Sequence, residues 1–390
     1  MSLTFSDYLN LLESGIYRQR IKLQTLHYSD LSIIQEITGD IVGGSGSLNV
    51  ERKNGCRRTM NCSIVNSTIN QVGKYIPDIA NGVLPPRQPF RLWLGLADEN
   101  DEEYYISQGI FFMADPVLSS NLSESIITLD MVDPFGLFDD TIGGSLTSTY
   151  IIPVGTNIYT AITSILATEN SYPLPCILDA VYVSEVTPYT ITKEAGSGTY
   201  GDILTDLAYM LSANLFFNSN GNLVFSQDIN DAIKGSVYDF TTDNAQYLGA
   251  TNKYDYTSFY NSVLVVGQNV NGAIYSAEVS NTSLLSETSV NNIGFKRQKR
   301  IEDANISSTQ LCTDRANFEL KRLIAIQNEV SISSIPFFHI GVDDAITLTD
   351  ANLGYNRERF IVNSLSIPFS IGGQMTINAT HAINLPFNDI

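Results

Sequence analysis

Tryptophan, histidine and cysteine are scarce in this 390-residue chain, which holds one, three and four of them. Positive charge is short as well: 22 Lys and Arg stand against 41 Asp and Glu, a formal charge of −19. A protein that grips nucleic acid needs a basic footprint over the phosphates, so that class is excluded. The same balance suits a surface past which nucleic acid slides without sticking. Trp93 alone cannot make the aromatic platforms of a glycan binder. Four cysteines make no disulfide framework in a chain of this length. Cys56 and Cys62 would stand roughly 20 Å apart on a continuous strand, too far to bridge. Cys176 and Cys312 sit among apolar or helical residues and are expected to act as small buried hydrophobes. His27, His339 and His381 are scattered, with no H-E-x-x-H pair and no Cys–His arrangement, which leaves imidazole and thiol catalysis without a base. A glycosidase-type carboxylate pair is the one catalytic arrangement that the plentiful acid leaves open. No apolar run approaches the ~20 residues of a membrane helix. The opening MSLTFSDYLNLLE has neither the basic nor the apolar region of a signal peptide, so a soluble protein made in the cytosol, without a membrane anchor, is expected.

What is present points to strands. Hydrophobic residues make up 43% and charged residues 16%, against roughly 25% charged in an average soluble domain. Twenty Tyr and 18 Phe suit sheet surfaces. A short amphipathic helix opens the chain, with Phe5, Tyr8, Leu9 and Leu12 at helical spacing and Gly15 as its stop. From Arg18 to about Leu137 the pattern alternates: IKLQTLHY, SLNVERK, RRTMNCSIV, RLWLGLA, YYISQGIFFMA and SIITLDMV read as strands. The middle changes character. Asn157 is placed to cap a helix whose apolar face is Ile158, Ala161, Ile162, Ile165 and Leu166. Thr199 and Asp202 form a capping box for a second helix carrying Ile203, Leu204, Leu207, Ala208 and Leu211. Asn220-Gly221 between two apolar runs is a strong hairpin signal. After about Ala245 strands return, interrupted by one helix that starts near Ser307–Ser308 and carries Leu311, Ala316, Leu320 and Leu323.

These elements divide the chain into an N-terminal helix (1–17), a first β-domain (18–145), an α+β domain (146–245) and a second β-domain with one inserted helix (246–390). The expected fold class is mainly β with an α+β insert. GIFFMADPVLSSNLSESIITLDMVD and RFIVNSLSIPFSIGGQMTINATHA share one layout of strand, bend and closing strand, which reads as a weak internal repeat.

Several motifs invite a chemical reading and lose it in context. Gly196-Ser-Gly198-Thr-Tyr-Gly201 matches G-x-G-x-x-G, but the segment before it is polar and a tight hairpin follows its helix, so a glycine hinge is expected rather than a nucleotide site. In DENDEE, Asp98, Asn100 and Glu102 have calcium-loop spacing. Glu103 stands where that loop needs glycine, and Gly109 where it needs an acid. An exposed hairpin tip is expected from Asp98, Glu99, Asp101, Glu102 and Glu103, on the surface or facing a lumen. GGSGS at 43–47 lacks a phosphate-loop lysine and reads as a turn or bulge. The basic run 296–300 lies among acids and reads as a solvated strand end. No cofactor and no metal are expected.

Three stretches carry a family resemblance: EITGDIVGGSGSLNVERKNGCRRTMNCSI with FRLWLGLADENDEEYYISQGIFFMADP, YGDILTDLAYMLSANLFFNSNGNLVFSQD, and the C-terminal half from NSVLVVG to FIVNSLSIPFSIGGQMTINAT. Together, over about residues 20–382, they resemble phage tail hub proteins, also called baseplate hubs, of the type found in phages of Gram-positive hosts. The resemblance implies two tube-like β-barrel or sandwich domains flanking the α+β domain. It also implies a homotrimer whose six such domains match a hexameric tail tube to a threefold tip and leave a channel for DNA. It implies a place at the virion tail tip, assembled in the host cytoplasm. The partners would be a distal tail or tail tube protein, a tape measure protein, and receptor-binding or lytic tail-tip proteins. DNA would pass transiently without specific binding. Many relatives carry a C-terminal lytic module; this chain ends in LPFNDI just after its last strand, so lytic activity is expected in other chains. Phe5, Tyr8, Leu9 and Leu12 are the candidate docking face for a neighbouring tail protein, and deletion of residues 1–15 is expected to block incorporation without unfolding. The other readings are the hub of a prophage-derived or contractile injection particle and, from another class, a β-rich glycan-binding or glycan-hydrolysing protein.

Overall fold

The computed structural model of the protein describes residues 3–382 outside the segments 70–71, 76–83, 122–123, 169–174, 212, 228–233, 255–258, 269–271, 287, 304–305 and 325–327. The closing LPFNDI lies outside the described residues. The chain opens with α1 (Phe5–Ser14), followed by β1 (Arg18–Leu26), β2 (Ile33–Ile37), β3 (Ile41–Glu51), β4 (Arg58–Val65), two short pieces β5 (Thr68–Ile69) and β6 (Val72–Gly73), β7 (Pro89–Ala97), β8 (Glu103–Ser120) and β9 (Ser125–Val132). The middle contributes β10 (Tyr150–Ile152), α2 (Ile158–Thr168), β11 (Cys176–Leu178), β12 (Ile191–Lys193), α3 (Tyr200–Met210), β13 (Ala213–Phe217) and β14 (Leu223–Gln227). The rest holds β15 (Ser236–Thr241), β16 (Tyr247–Tyr254), β17 (Ser262–Gln268), β18 (Ile274–Ser280), α4 (Val290–Ile293), β19 (Gln298–Asp303), α5 (Thr309–Ile324), β20 (Asn328–Ser334), β21 (Ala345–Asp350), β22 (Tyr355–Pro368) and β23 (Met375–His381). The protein is mainly β, with large antiparallel sheets and a few helices.

One sheet joins both β-rich ends of the chain. Its strands run β16-β20-β23-β22-β3-β4-β9-β8-β7-β1-β2, with β15 and β21 branching from β22. Alternation decides which side of each strand is covered: in β4, Met60, Cys62 and Ile64 are buried and their neighbours are not. A single apolar cluster runs beneath the sheet and includes residues of both ends, from Leu48 and Leu129 to Ile332 and Ile367. The glycine-rich GGSGS segment lies within β3, where the pairing with β4 skips between Ile41 and Gly46. Gly46 has φ 107°, and a Cβ there would meet the Asn61 carbonyl at 2.2 Å, so only glycine lets the two backbones approach at this bulge.

The middle of the chain has its own core. α2 and α3 pack on the three-stranded β11-β14-β13 sheet around Ile162, Leu204, Leu207, Phe217 and Phe225. The local signals act as their chemistry requires. The Asn157 side chain accepts the Thr160 amide at 3.1 Å, at the start of α2. Thr199 and Asp202 exchange bonds of 3.0 and 2.8 Å at the start of α3. Between β13 and β14 the Asn218 side chain accepts the amides of Asn220 and Asn222, and Gly221 takes φ 83°. Gly201 of the G-x-G-x-x-G run donates its amide to the Phe138 carbonyl at 2.6 Å, so its missing side chain lets α3 sit against the preceding loop.

Between β16 and β20 the chain leaves the large sheet. β18-β17-β19 form a separate sheet, and α5 covers it through Cys312, Ala316 and Leu320 packed on Val263 and Val265. The sequence marked this helix and the strands FYNSVLVVG and AIYSAEV, but not that they form a unit apart from the large sheet. The strands belong with it because neither the helix stripe nor the sheet face could be buried singly. The basic run enters β19, where Lys296 pairs with Glu278, Lys299 with Glu319 and Arg300 with Glu302.

Candidate assembly interface

The internal repeat hinted at by the sequence is a repeat of strand order. The first half runs β3-β4-β9-β8-β7-β1 and the second β16-β20-β23-β22-β21-β15. Position by position they agree. Asp130 in β9 stands between Asn61 and Asp115, as Asn378 in β23 stands between Ser331 and Ser364. Each long strand carries its bulge at the same place: pairing skips between Met113 and Asp115 in β8 and between Val362 and Ser364 in β22. One pairing differs in sense, since β1 lies antiparallel to β7 and β15 parallel to β21.

The halves meet edge to edge. Beyond its bulge β22 leaves β21 and pairs antiparallel with β3: Leu365 opposite Val50, Ser366 opposite Asn49, Ile367 opposite Leu48 and Pro368 opposite Ser47. All four of Leu48, Val50, Leu365 and Ile367 are buried. At about 25 cal/mol per Å² such burial contributes ~1.5–3 kcal/mol for each aliphatic side chain, so this seam is a substantial part of what holds the halves together.

A charged joint reinforces the seam from the turn between β3 and β4. Arg57 Nη1 lies 2.6 Å from Asp343 Oδ2, and Arg52 Nε 2.6 Å from Asp343 Oδ1, tying the first half to the β20–β21 connection. The same turn reaches the middle domain. Gly55 donates its amide to the Leu215 carbonyl, the Asn54 side chain accepts the Leu215 amide, and the Arg57 guanidinium lies 3.8 Å over the Phe216 ring. Arg58 donates to the Phe217 carbonyl. Burial works to raise the pKa of Asp343, and Arg57 and Arg52 reverse it, holding the carboxyl below its usual range. Fully buried Asp133 accepts the amides of Arg57, Arg58 and Phe135 at 2.8–3.0 Å; burial pushes its pKa up while these amides and Arg58 pull it down. The sequence signal for this joint is basic: Arg52, Lys53, Arg57 and Arg58 concentrate four of only 22 basic residues in seven positions.

The candidate docking helix α1 is held by a Thr4–Asp7 capping box and ends at Gly15 in the left-handed conformation. Tyr8 and Leu12 are buried in the shared core, and Leu9 packs against it. The Tyr8 hydroxyl accepts the Phe338 amide at 3.0 Å and lies 3.3 Å from His339 Nδ1, while its ring packs beside Tyr104. Gln246 donates to the last carbonyls of the helix, Leu12 and Glu13. α1 therefore clips β8 of the first half to the second half, and its removal would uncover the core. The apolar surface left at this helix is Phe5, 45% exposed at the rim of the Tyr8, Tyr104 and His339 rings, with Ile16 just beyond Gly15.

The acidic residues lie where β7 turns into β8. Asp98 Oδ1 accepts the amides of Asn100 and Glu102, and Asp101 takes a positive φ of 62° at the tip. Arg20 pairs with Asp101 and Glu103, Arg18 with Asp101, and Arg18 also donates to the Asp98 carbonyl. Glu99 stands exposed at the same tip. These exposed pairs contribute ~0–1 kcal/mol each, enough to shape the tip without neutralising its five carboxylates.

No family model matches the sequence, and no curated protein matches it. Solved structures do. A tail protein from Neisseria meningitidis MC58 superposes with a TM-score of 0.65 at 10% identity, over 94% of this chain and 97% of the other. The 43 kDa tail protein of prophage MuSo2 from Shewanella oneidensis gives 0.61 at 13%, over 93% and 98%. A prophage tail protein from Listeria monocytogenes EGD-e gives 0.52 at 14%, over 94% and 95%. The chain has the fold of prophage tail proteins. At these identities what is shared is the architecture, and the tail-protein fold spans nearly the whole chain.

Proposed function

We propose that the protein is a structural hub of a phage or prophage tail tip and carries out no chemistry of its own. The observation that carries this reading is the repeated six-strand order within one chain of tail-protein fold. Each subunit supplies two equivalent units already joined edge to edge. Three subunits supply six, which matches a hexameric tail tube to a threefold tip. The acidic balance of −19 suits a channel wall that repels DNA phosphate. Tail tube or distal tail protein, tape measure protein and receptor-binding or lytic tip proteins are the partners of such a ring. Phe5, half-exposed at the rim of the Tyr8–Tyr104–His339 cluster, and Ile16 just past the end of α1 are the docking contacts that the burial of Tyr8 and Leu12 leaves available. Mass measurement and negative-stain microscopy of the purified chain test the reading. A trimer with a central opening is expected; a species that stays monomeric at micromolar concentration, or a closed dimer, overturns it.

A further inference from the structure

The seam inside the chain has a counterpart that the lone chain leaves open. β22 beyond its bulge is covered by β3, but its equivalent, β8 from Asp115 to Ser120, pairs only with β9 among the described strands. Likewise β3 lies between β4 and β22, while its equivalent β16 ends the sheet. The side chains carry the same asymmetry. Ile367 is 1% exposed, and Leu118 at the matching position is 47% exposed with Val117 beside it at 54%. Leu48 is buried; at the matching position Asn252 keeps a buried Oδ1 that accepts no hydrogen bond among the described residues. An apolar, unpaired strand edge is an association site unless something covers it.

We propose that β8 of one copy, from Pro116 to Ser120, pairs antiparallel with the outer edge of β16 of a second copy, from Ala250 to Tyr254, in the register that β22 uses on β3. This rests on the ring reading above and names the contact that closes it. The register follows from the repeat. Leu48 faces Met60 as Asn252 faces Val330, and Met60 and Val330 hold matching places beside Met131 and Ala379. Transferring Ile367 opposite Leu48 therefore sets Leu118 opposite Asn252, and with it Val117 opposite Lys253 and Ser119 opposite Thr251.

The backbone groups point the right way. In the seam, Arg52 donates to the Asn363 carbonyl and Phe369 to the Gly46 carbonyl, so Leu48 and Val50 turn their amides to β22. On β8, Asn121 donates to Glu124 across the hairpin, and alternation turns Pro116, Leu118 and Ser120 away from β9. Pro116 lacks an N–H and is tolerated on an edge; Leu118 and Ser120 supply the donors. Exposed Asp115 becomes the diagonal, same-face neighbour of exposed Lys253, a complementary charge pair. Because the two edges differ, the contact is head-to-tail and closes only as a ring.

The double variant Val117→Cys with Lys253→Cys tests the register. The two positions form a non-hydrogen-bonded pair, whose Cα atoms approach to ~4.5 Å, within disulfide reach. Oxidation is expected to give a ladder of cross-linked dimer and trimer that the wild type and the shifted pair Val117→Cys with Thr251→Cys do not give. Leu118→Lys should weaken association about tenfold or more while the monomer melts as the wild type does. A threefold ring by mass and microscopy that fails to cross-link at 117 and 253, or that tolerates Leu118→Lys, overturns this pairing and leaves the ring reading standing. A wild type that never oligomerises overturns both.

Discussion

The two halves of the large sheet share a strand order and differ in what happens at their edges. In the second half β22 runs past its bulge into a partner and buries Leu365 and Ile367. In the first half β8 runs past the same bulge and leaves Val117 and Leu118 at the surface. The same backbone plan is complete on one side and open on the other. A repeat joined once inside the chain shows how it would be joined again between chains, and on β8 Leu118 keeps the apolar character of its covered counterpart Ile367.

The largest expected effect strikes what joins the halves. Asp343→Asn removes the charge between Arg57 and Arg52 and keeps a residue that tolerates the φ of 73° found there. Leaving buried Arg57 without its partner should destabilise the chain by ~3–5 kcal/mol, read as a lower midpoint in urea unfolding. Next comes the direct contrast between the two edges. Ile367→Ala should cost ~2–5 kcal/mol, while Leu118→Ala should change monomer stability by no more than ~0.5 kcal/mol. Equal losses at the two positions would end the distinction between a covered and an open edge.

A smaller effect concerns the clip across the halves. Burial lowers the pKa of His339 to about 4 from its ordinary 6.5, and its Nε2 accepts no bond among the described residues. The folded chain holds the ring neutral where the unfolded chain would protonate it. This contribution is therefore complete above pH 6.5 and is lost as pH falls from 6.5 toward 4. It should amount to a loss on the order of 2 kcal/mol. Melting curves of wild type and His339→Gln across that window should converge as pH falls; a constant gap would show that His339 does not titrate against α1.

Much of this was legible locally. The capping box of α3, the Asn157 cap, the Gly15 stop of α1, the Asn220-Gly221 turn and the apolar stripes of α2, α3 and α5 all lie within a few residues of what they stabilise. The paired layouts at β8–β9 and β22–β23 marked the repeat from sequence. The joint at Arg52, Arg57 and Asp343 was not legible: the basic cluster at 52–58 is visible in the sequence, but nothing near it points to an acid 286 residues away. Nor was the double duty of α1: an amphipathic stripe says that a face will be covered, not whether the cover comes from the same chain. Here Tyr104, Phe338 and His339 supply it.

By itself, then, the sequence determined the elements, many of their caps and turns, and the acidic character, since hydrophobic period and turn chemistry act over short distances. Tertiary structure alone decided which edge meets which. A strand's outward amides are the same whatever pairs with them, and only the folded arrangement of the halves covers one edge and leaves its twin exposed.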